Sequence, residues 1–388
     1  MLYFSGMKTL KGVLERKLSD VIVRRMSTSR KAIIVYGPRQ VGKTTMLQKL
    51  IKKEKVRYID ADLGEYRDIL ESHNLQQLKR FVEGYDFLFI DEAQRLEGIG
   101  KTLKIIHDHL PDTKVIATGS SAFDLAHAVE ESMAGRFWSF EMHPLSLQEI
   151  SDHIGAFDAD LLIEDLLIYG SYPEVYSLTS GEDRSEYLRM ITSSYLYKDV
   201  LELSGIRHSS KLKDLLRLLA YQVGSLVSFN ELGRQLGMST ETVQHYIDLL
   251  EKSFVIKSLN GYSTNLRNEI TRMSKFYFYD LGIRNALIDN FKSLAIRNDK
   301  GQLWENFLFI ERQRYNDYNR PTPNHFFWRL YSGAELDYLE SKDGSLDGYE
   351  FKWKTKRTKA PKSWAKHYPD ATFMTIDRQN YLGFVGLA

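Results

Sequence analysis

The segment Gly37-Pro38-Arg39-Gln40-Val41-Gly42-Lys43-Thr44 constrains this chain more than any other: a glycine, four residues, then Gly-Lys-Thr. It follows the apolar run Ala32–Tyr36, which reads as a buried strand, and precedes Thr45–Ile51, which reads as a helix. Strand, glycine-rich loop and helix in that order form the phosphate-binding loop pattern of an α/β fold. The glycines let the backbone close around a phosphate chain, so that successive N–H groups and the helix N-terminus face the anion. Lys43 adds a mobile positive charge for the β- and γ-phosphates, and the Thr44 hydroxyl can ligate Mg²⁺. Residues Gly37 to Thr45 are therefore the expected nucleotide contacts. A chance glycine-rich turn is the plain alternative, and the flanking strand and helix argue against it.

The 388 residues are enough for two or three domains. A net charge of +2 names no partner. The absence of cysteine excludes disulfides and thiolate metal sites, and suits a reducing, cytoplasmic location. No apolar run approaches the ~20 residues that span a bilayer, so no membrane partner is expected. The start, Met1–Met7, is apolar but too short for a signal peptide. No histidines show metal-ligand spacing; His107 and His109 lie in a helical pattern that points them apart.

Five apolar runs follow one another in the first domain, residues 1–155: Ala32–Tyr36, Val56–Ile59, Phe87–Ile90, Lys114–Thr118 and Phe137–Met142. Helical patterns lie between them, which predicts a parallel sheet. The third run ends in Asp91-Glu92. Asp91 is placed to hold Mg²⁺ beside Thr44, and Glu92 to polarise the water that attacks the γ-phosphate. The fourth run ends in Thr118-Gly119-Ser120-Ser121, whose small hydroxyl residues either sense the γ-phosphate or position the water, or merely cap a helix starting near Ala122. Arg136 either reaches the triphosphate to stabilise transition-state charge or makes a surface ion pair.

The segments GPRQVGKTT, FLFIDEAQ, ATGSS and AGRFWSFEMHPLSLQEI resemble the ATPase half of a prokaryotic AAA-like family (the AAA_14 type), whose members carry a C-terminal DUF4143-type domain. Gly170-Ser171-Tyr172-Pro173-Glu174-Val175 resembles that family's Gly-Gly-Tyr-Pro-Glu-Val signature, with serine at the second glycine. The resemblance implies an additional-strand ATPase with ATP and Mg²⁺ as cofactors and Glu92 as catalytic glutamate.

Residues 156–285 read as mostly helical. Ser228–Glu231 has the form of a capping box. Phe229, Leu232 and Leu236 share one face, Gly237-Met238-Ser239 makes a turn, and Val243, Tyr246, Ile247 and Leu250 share the next face. Phe254–Ile256 and Phe276–Tyr279 can supply the strands of a wing. The pattern is winged-helix-like, but Thr240, Glu241, Thr242, Gln244, His245 and Asp248 offer no Lys or Arg to a DNA groove. A structural or hinge role is favoured over DNA reading. Tyr195–Val200 reads as packing against the ATPase core.

Residues 286–388 read as a helix with Glu305 near its start, a strand Phe326–Leu330, a strand carrying Asp337 and a strand carrying Glu350 and Lys352. Alternation puts Glu350 and Lys352 on one face. This order is similar to the restriction-endonuclease-like core, in which Asp337 matches the first acid, Glu350-x-Lys352 the Glu-x-Lys and Glu305 the helical glutamate. The plain alternative is a solvated hairpin face. From Lys352 to His367 there are seven Lys/Arg and no acid, with Trp353 and Trp364 interleaved. That run is either a nucleic-acid surface or simply solvated charge.

The expected architecture is thus a P-loop α/β domain, a helical winged-helix-like region and a nuclease-like α/β domain. Two functions fit it: an ATPase coupling nucleotide state to nucleic acid at the C-terminal domain, or an ATP-dependent switch or scaffold whose nuclease-like domain does not cut. Glu92 and the long additional domains disfavour a small-molecule kinase. Oligomeric state is not legible.

Overall fold

The computed structural model describes residues 10, 12, 14–120, 132–196, 209–263, 273–319, 323–330, 332–355 and 358–387. Ser121, Ala122 and most of Tyr195–Val200, named above, lie outside this set.

The N-terminal sheet has five parallel strands: β1 (Ala32–Tyr36), β2 (Val56–Asp60), β3 (Phe87–Asp91), β4 (Lys114–Gly119) and β5 (Phe137–Glu141). Their spatial order is β2-β3-β4-β1-β5. The alternating apolar runs predict this all-parallel sheet, because short parallel strands buried on both faces need helical crossovers. Strands β1 and β3 are buried along almost their whole length. Helices α1 (Lys17–Thr28), α2 (Lys43–Leu50), α3 (Leu75–Val82), α4 (Ile99–His109) and α5 (Leu147–Ile154) surround the sheet. Helix α5 opens with a complete capping box between Ser146 and Glu149. At Ser228 only half of the expected box forms, its hydroxyl accepting the Glu231 N–H at 3.4 Å.

The middle of the chain supplies α6 (Gly181–Ile191), α7 (Ser209–Tyr221), β6 (Leu226–Val227), α8 (Phe229–Leu236), α9 (Thr240–Lys252), β7 (Ile256–Gly261) and β8 (Ser274–Phe278). Strand β8 pairs antiparallel with both β6 and β7. These strands do not form a separate sheet. Asn260 and Gly261 of β7 pair parallel with Phe326 and Phe327 of β9 (Asn324–Arg329). The seven-stranded mixed sheet continues through β10 (Glu335–Lys342), β11 (Ser345–Phe351) and β12 (Thr372–Ile376). Helix α10 (Lys300–Asn319) precedes β9, and α11 (Lys362–His367) connects β11 to its parallel neighbour β12. Among the described residues no helix is long and apolar enough to cross a membrane.

The Gly-Ser-Tyr-Pro-Glu-Val segment is the joint between the parts. Ser171 donates its backbone N–H to Asp280 Oδ2 at 2.6 Å and accepts from Leu145 N through its carbonyl at 2.9 Å. Buried Arg314 of α10 reaches Leu145 O (2.9 Å), Ser171 Oγ (3.0 Å) and Tyr279 O (3.0 Å). Gly170 must lack a side chain: its φ is +72°, and a Cβ there would stand 2.0 Å from Asp280 Oδ1. His143 ties the exit of β5 to α10, with Asp317 Oδ2 2.8 Å from Nε2 and Glu141 Oε1 3.3 Å from Nδ1.

Candidate functional site: a phosphate loop and a distant acid pocket

The loop between β1 and α2 has the backbone its sequence demands. Gly37 (φ +149°) lies so close to the chain leaving β5 that a Cβ would meet Met142 O at 2.2 Å. Gly42 (φ +93°) and Gln40 (φ 62°) are also left-handed. Lys43 Nζ donates to Gly37 O (2.8 Å) and Pro38 O (2.9 Å), within the arc of the loop. The Thr44 hydroxyl donates to Asp91 Oδ2 at 2.8 Å. Oxygen donors from α2 and β3 thus stand side by side, the hard ligand set Mg²⁺ prefers.

Strand β4 lies between β1 and β3, so its tip sits between the loop and the acids. There the Thr118 hydroxyl donates to Asp91 Oδ1 and accepts the Glu92 backbone N–H at 3.2 Å. Glu92 is in the left-handed region (φ 51°, ψ 43°), which turns its carboxylate off the strand axis. Gln94 Nε2 holds Glu92 Oε2 and also Ser120 Oγ (3.1 Å), linking the glutamate to the β4 tip. The Tyr58 hydroxyl adds a bond to Asp91 Oδ2 at 3.2 Å. Burial, then the Asp91 charge, push the Tyr58 phenol up to about 12, so it stays a donor.

Two cavities flank the loop. One, lined by Gln40, Ser120, Tyr172, Phe254 and Asp280, faces the middle of the chain. Tyr36 stacks on Phe254 there, and Tyr187 of α6 donates to Gln40 Oε1 at 2.8 Å. The other, of about 530 Å³, runs from Gly42, Thr45 and Met46 to Leu10, Leu14 and Pro173. Buried Arg16 at its edge donates to Val41 O (2.6 Å), His143 O (2.5 Å) and Glu149 Oε1 (3.0 Å). Burial opposes its charge, but Glu149 and Tyr318 together outweigh that and raise its pKa.

In the C-terminal part, Glu305, Asp337, Glu350 and Lys352 come together on one cavity of about 600 Å³. Asp337 Oδ2 accepts the Phe351 N–H at 2.8 Å, across β10 and β11. Lys352 Nζ lies 2.5 Å from Glu350 Oε1. Glu305 Oε1 accepts from the Tyr277 hydroxyl (2.7 Å) and Lys275 Nζ (3.2 Å). Burial, against the pull of Lys275 and reinforced by Asp337, pushes Glu305 up to about 7. Burial and then Asp337 raise Glu350, opposed by Lys352. Lys275 shows the opposite balance: burying an ammonium costs several kcal/mol, yet Glu305, Asp337 and Glu335 together raise its pKa.

Comparison with known proteins agrees with both halves. Residues 29–151 match the AAA domain family, and residues 300–381 match domain of unknown function DUF4143. The chain is an AAA-like P-loop protein carrying a DUF4143 domain. Residues 160–294 match domain of unknown function DUF8612. An uncharacterized protein of Mycobacterium tuberculosis is 27% identical over 353 residues, covering 90% of this chain and 75% of its own length. An uncharacterized protein of Methanocaldococcus jannaschii is 24% identical over 311 residues, 73% of this chain and 67% of that one. The Walker-type ATPase of Pyrococcus abyssi superposes with a TM-score of 0.52 at 17% identity, over 74% of this chain and all of that one, a likeness of fold.

Two readings that the sequence left open are narrowed in this AAA–DUF4143 protein. Arg136 precedes β5, which runs parallel to β1 with Ala32 opposite Phe137 and Tyr36 opposite Glu141. It therefore lies at the end of the sheet away from the loop, about 15 Å off by strand rise. There it pairs with Asp108 at 2.8 Å, the surface ion-pair alternative. Of the two tryptophans in the basic run, Trp364 is not offered to bases, whereas half-buried Trp353 lines the acid cavity. Trp364 is 1% exposed beneath Trp328 and Tyr368, and Trp353 packs edge-on against Trp304. Lys354, Lys359, Lys362 and Lys366 remain exposed. The sequence reading named Thr118 at the β4 tip but missed Arg16, Tyr58, Gln94 and Lys275. Gln94 carried a signal, standing two residues after the named Glu92; the others come from distant segments.

Proposed function

We propose that this chain hydrolyses ATP with Mg²⁺. The observation that carries the reading is the cluster at three adjacent strand tips: Thr44 on Asp91 at 2.8 Å, with Glu92 turned aside and held through Gln94 to Ser120. Mg²⁺, when bound, would neutralise charge on the β- and γ-phosphate oxygens. Thr44 and Asp91 would hold it, and Lys43 would exchange the Gly37 and Pro38 carbonyls for phosphate oxygens. Glu92 would accept the proton of the attacking water, with Gln94 fixing its rotamer. The 530 Å³ cavity beside Thr45 and Met46, with apolar walls at Leu10, Leu14 and Pro173, is of a size for the nucleoside. Nucleotide binding and turnover test this: Lys43→Ala should lose both, and a variant retaining wild-type turnover would remove the proposal.

For the C-terminal part we infer a restriction-endonuclease-like core. The support is the order α10, β9, β10, β11, α11, β12 with Glu305, Asp337, Glu350 and Lys352 on one cavity. The arrangement of β6, α8, α9, β7 and β8 supports a winged helix between the two, used as a hinge: on α9, Glu241, Gln244 and His245 are exposed and none is a cation. Nucleic acid is the proposed partner of the acid cavity and of the exposed lysines. Strand β8 supports coupling of the two sites, since Lys275 lines the acid cavity and Tyr277 bonds its Glu305, while Asp280, just beyond the strand, lines the cavity facing the loop. A nicking assay with Mg²⁺ or Mn²⁺, comparing wild type with Asp337→Ala, separates a cutting domain from the ATP-dependent scaffold. Equal cleavage by both proteins would exclude cutting at this cavity.

A further inference from the structure

The acid cavity contains a cation of its own. Lys275, on β8, lies outside the set of residues that a Glu-x-Lys pattern points to. Its Nζ is 2.7 Å from Glu335 Oε1, 3.2 Å from Glu305 Oε1 and 3.9 Å from Asp337 Oδ1. The residue is 2% exposed, and its ammonium stands 5.6 Å from the centre of the Phe327 ring. Three carboxylates converging on one point is a geometry that suits a divalent cation; here an ammonium stands at that point. Its partners are committed elsewhere too: Glu305 Oε1 also accepts from Tyr277 at 2.7 Å, and Glu335 Oε2 lies 3.2 Å from Arg329. The far side of the cavity is held differently. Asp337 Oδ2 takes a backbone N–H, and Glu350 is paired with Lys352, whose side chain is 35% exposed and can swing into solvent.

We propose that Lys275 sets the cation count of this cavity. Its ammonium fills the ground between Glu305, Glu335 and Asp337, so the cavity accepts one divalent ion, on the Asp337–Glu350 side, instead of two. The proposal rests on the nuclease-like reading of the cavity. Four acids (Glu305, Glu335, Asp337, Glu350) face three cations (Lys275, Arg329, Lys352), and one divalent ion more than offsets the difference. A second ion would have to sit within about 4 Å of a buried ammonium, where repulsion is weakly screened. Lys352 can give way to an ion; Lys275, 2% exposed on a strand paired on both sides, cannot.

The test is Mn²⁺ titration calorimetry on the full chain without nucleotide, with Asp91→Asn in every variant to silence the phosphate-loop site. The parent should bind one Mn²⁺ per chain, and Asp337→Asn should lose it. Lys275→Met should bind two, and Mn²⁺ should raise its melting temperature more than the parent's. Lys275→Arg, which keeps the charge, should bind one. Lys275→Gln, which keeps hydrogen-bond donors, replaces Lys275→Met if that variant does not fold. A folded, neutral Lys275 variant that takes a single ion at parental affinity overturns the proposal while leaving an Asp337-dependent metal site intact. No Mn²⁺ in any variant removes the nuclease-like reading and this proposal with it.

Discussion

Glu92 has φ 51°, a conformation few side chains with a Cβ adopt without support, at a cost of order 1–3 kcal/mol. Two bonds hold it: its N–H to Thr118 Oγ1 at 3.2 Å and its carbonyl to Arg95 N at 2.9 Å. If the left-handed turn aims the carboxylate at water, Glu92→Gln should cut ATP turnover by about 10²–10⁴-fold while ATP affinity stays within a few-fold. Steady-state hydrolysis and a fluorescent-nucleotide titration read the two quantities separately, and unchanged turnover would take the general-base role away from Glu92. Gly37 makes the opposite point, since its freedom is needed for packing. A methyl group on Gly37 would stand 2.2 Å from Met142 O, so Gly37→Ala must displace the loop or the chain leaving β5. It should lose nucleotide binding and stability together, in contrast to Glu92→Gln.

At the scale of elements, Arg16 at the start of α1 clamps the loop to α5 through Val41 O and Glu149. Removing one partner of a buried ion pair costs about 3–5 kcal/mol, because the other charge is left without compensation. Arg16→Met should therefore lower the melting temperature by several degrees, and it should weaken ATP binding by loosening the loop. Strand β9 holds a pH-sensitive contact. His325 lies against Tyr338, its Nδ1 2.6 Å from the hydroxyl, with Glu340, Lys257, Asp317 and Arg312 around it. Burial, reinforced by Lys257 and Arg312 against Glu340 and Asp317, depresses its pKa to about 4. The unfolded chain takes up that proton near pH ~6.5, so between about 6.5 and 4 the unfolded state binds more protons. Stability should fall by about 3 kcal/mol as pH drops through that window and then level off for this group. His325→Gln should flatten that part of a melting-temperature profile; an unaltered slope would show that other groups set it.

At the scale of the molecule, α10 is the shaft that joins the two ends. Its N-terminal half carries Glu305 into the acid cavity, and its C-terminal half carries Glu311 and Arg314 into the joint at Leu145, Leu147 and Ser171. Arg314→Lys keeps the charge but loses the planar fork that spans Leu145, Ser171 and Tyr279. Hydrogen exchange of residues 335–352, with and without an ATP analogue, should show a nucleotide-dependent change in wild type that shrinks in Arg314→Lys while ATP turnover persists. Equal exchange differences in the two proteins would mean that the joint does not transmit.

The residue order settled the phosphate loop, the five parallel strands, and the Asp91-Glu92 strand tip, because these features are local: a glycine spacing, an alternation of runs, an acid at a strand end. Alternation along β11 put Glu350 and Lys352 on one face, while Asp337 and Glu305 joined that set only through the resemblance to the restriction-endonuclease-like core. Residue order could not settle what depends on distant segments meeting. Lys275 enters an acid cavity 30 residues from Glu305, Arg16 clamps a helix 133 residues away, and His143 finds Asp317 across 174 residues. Those pairings, like the merging of β7 with β9 into one sheet and the burial of Trp364, are fixed by how the parts pack, and no short-range pattern encodes that.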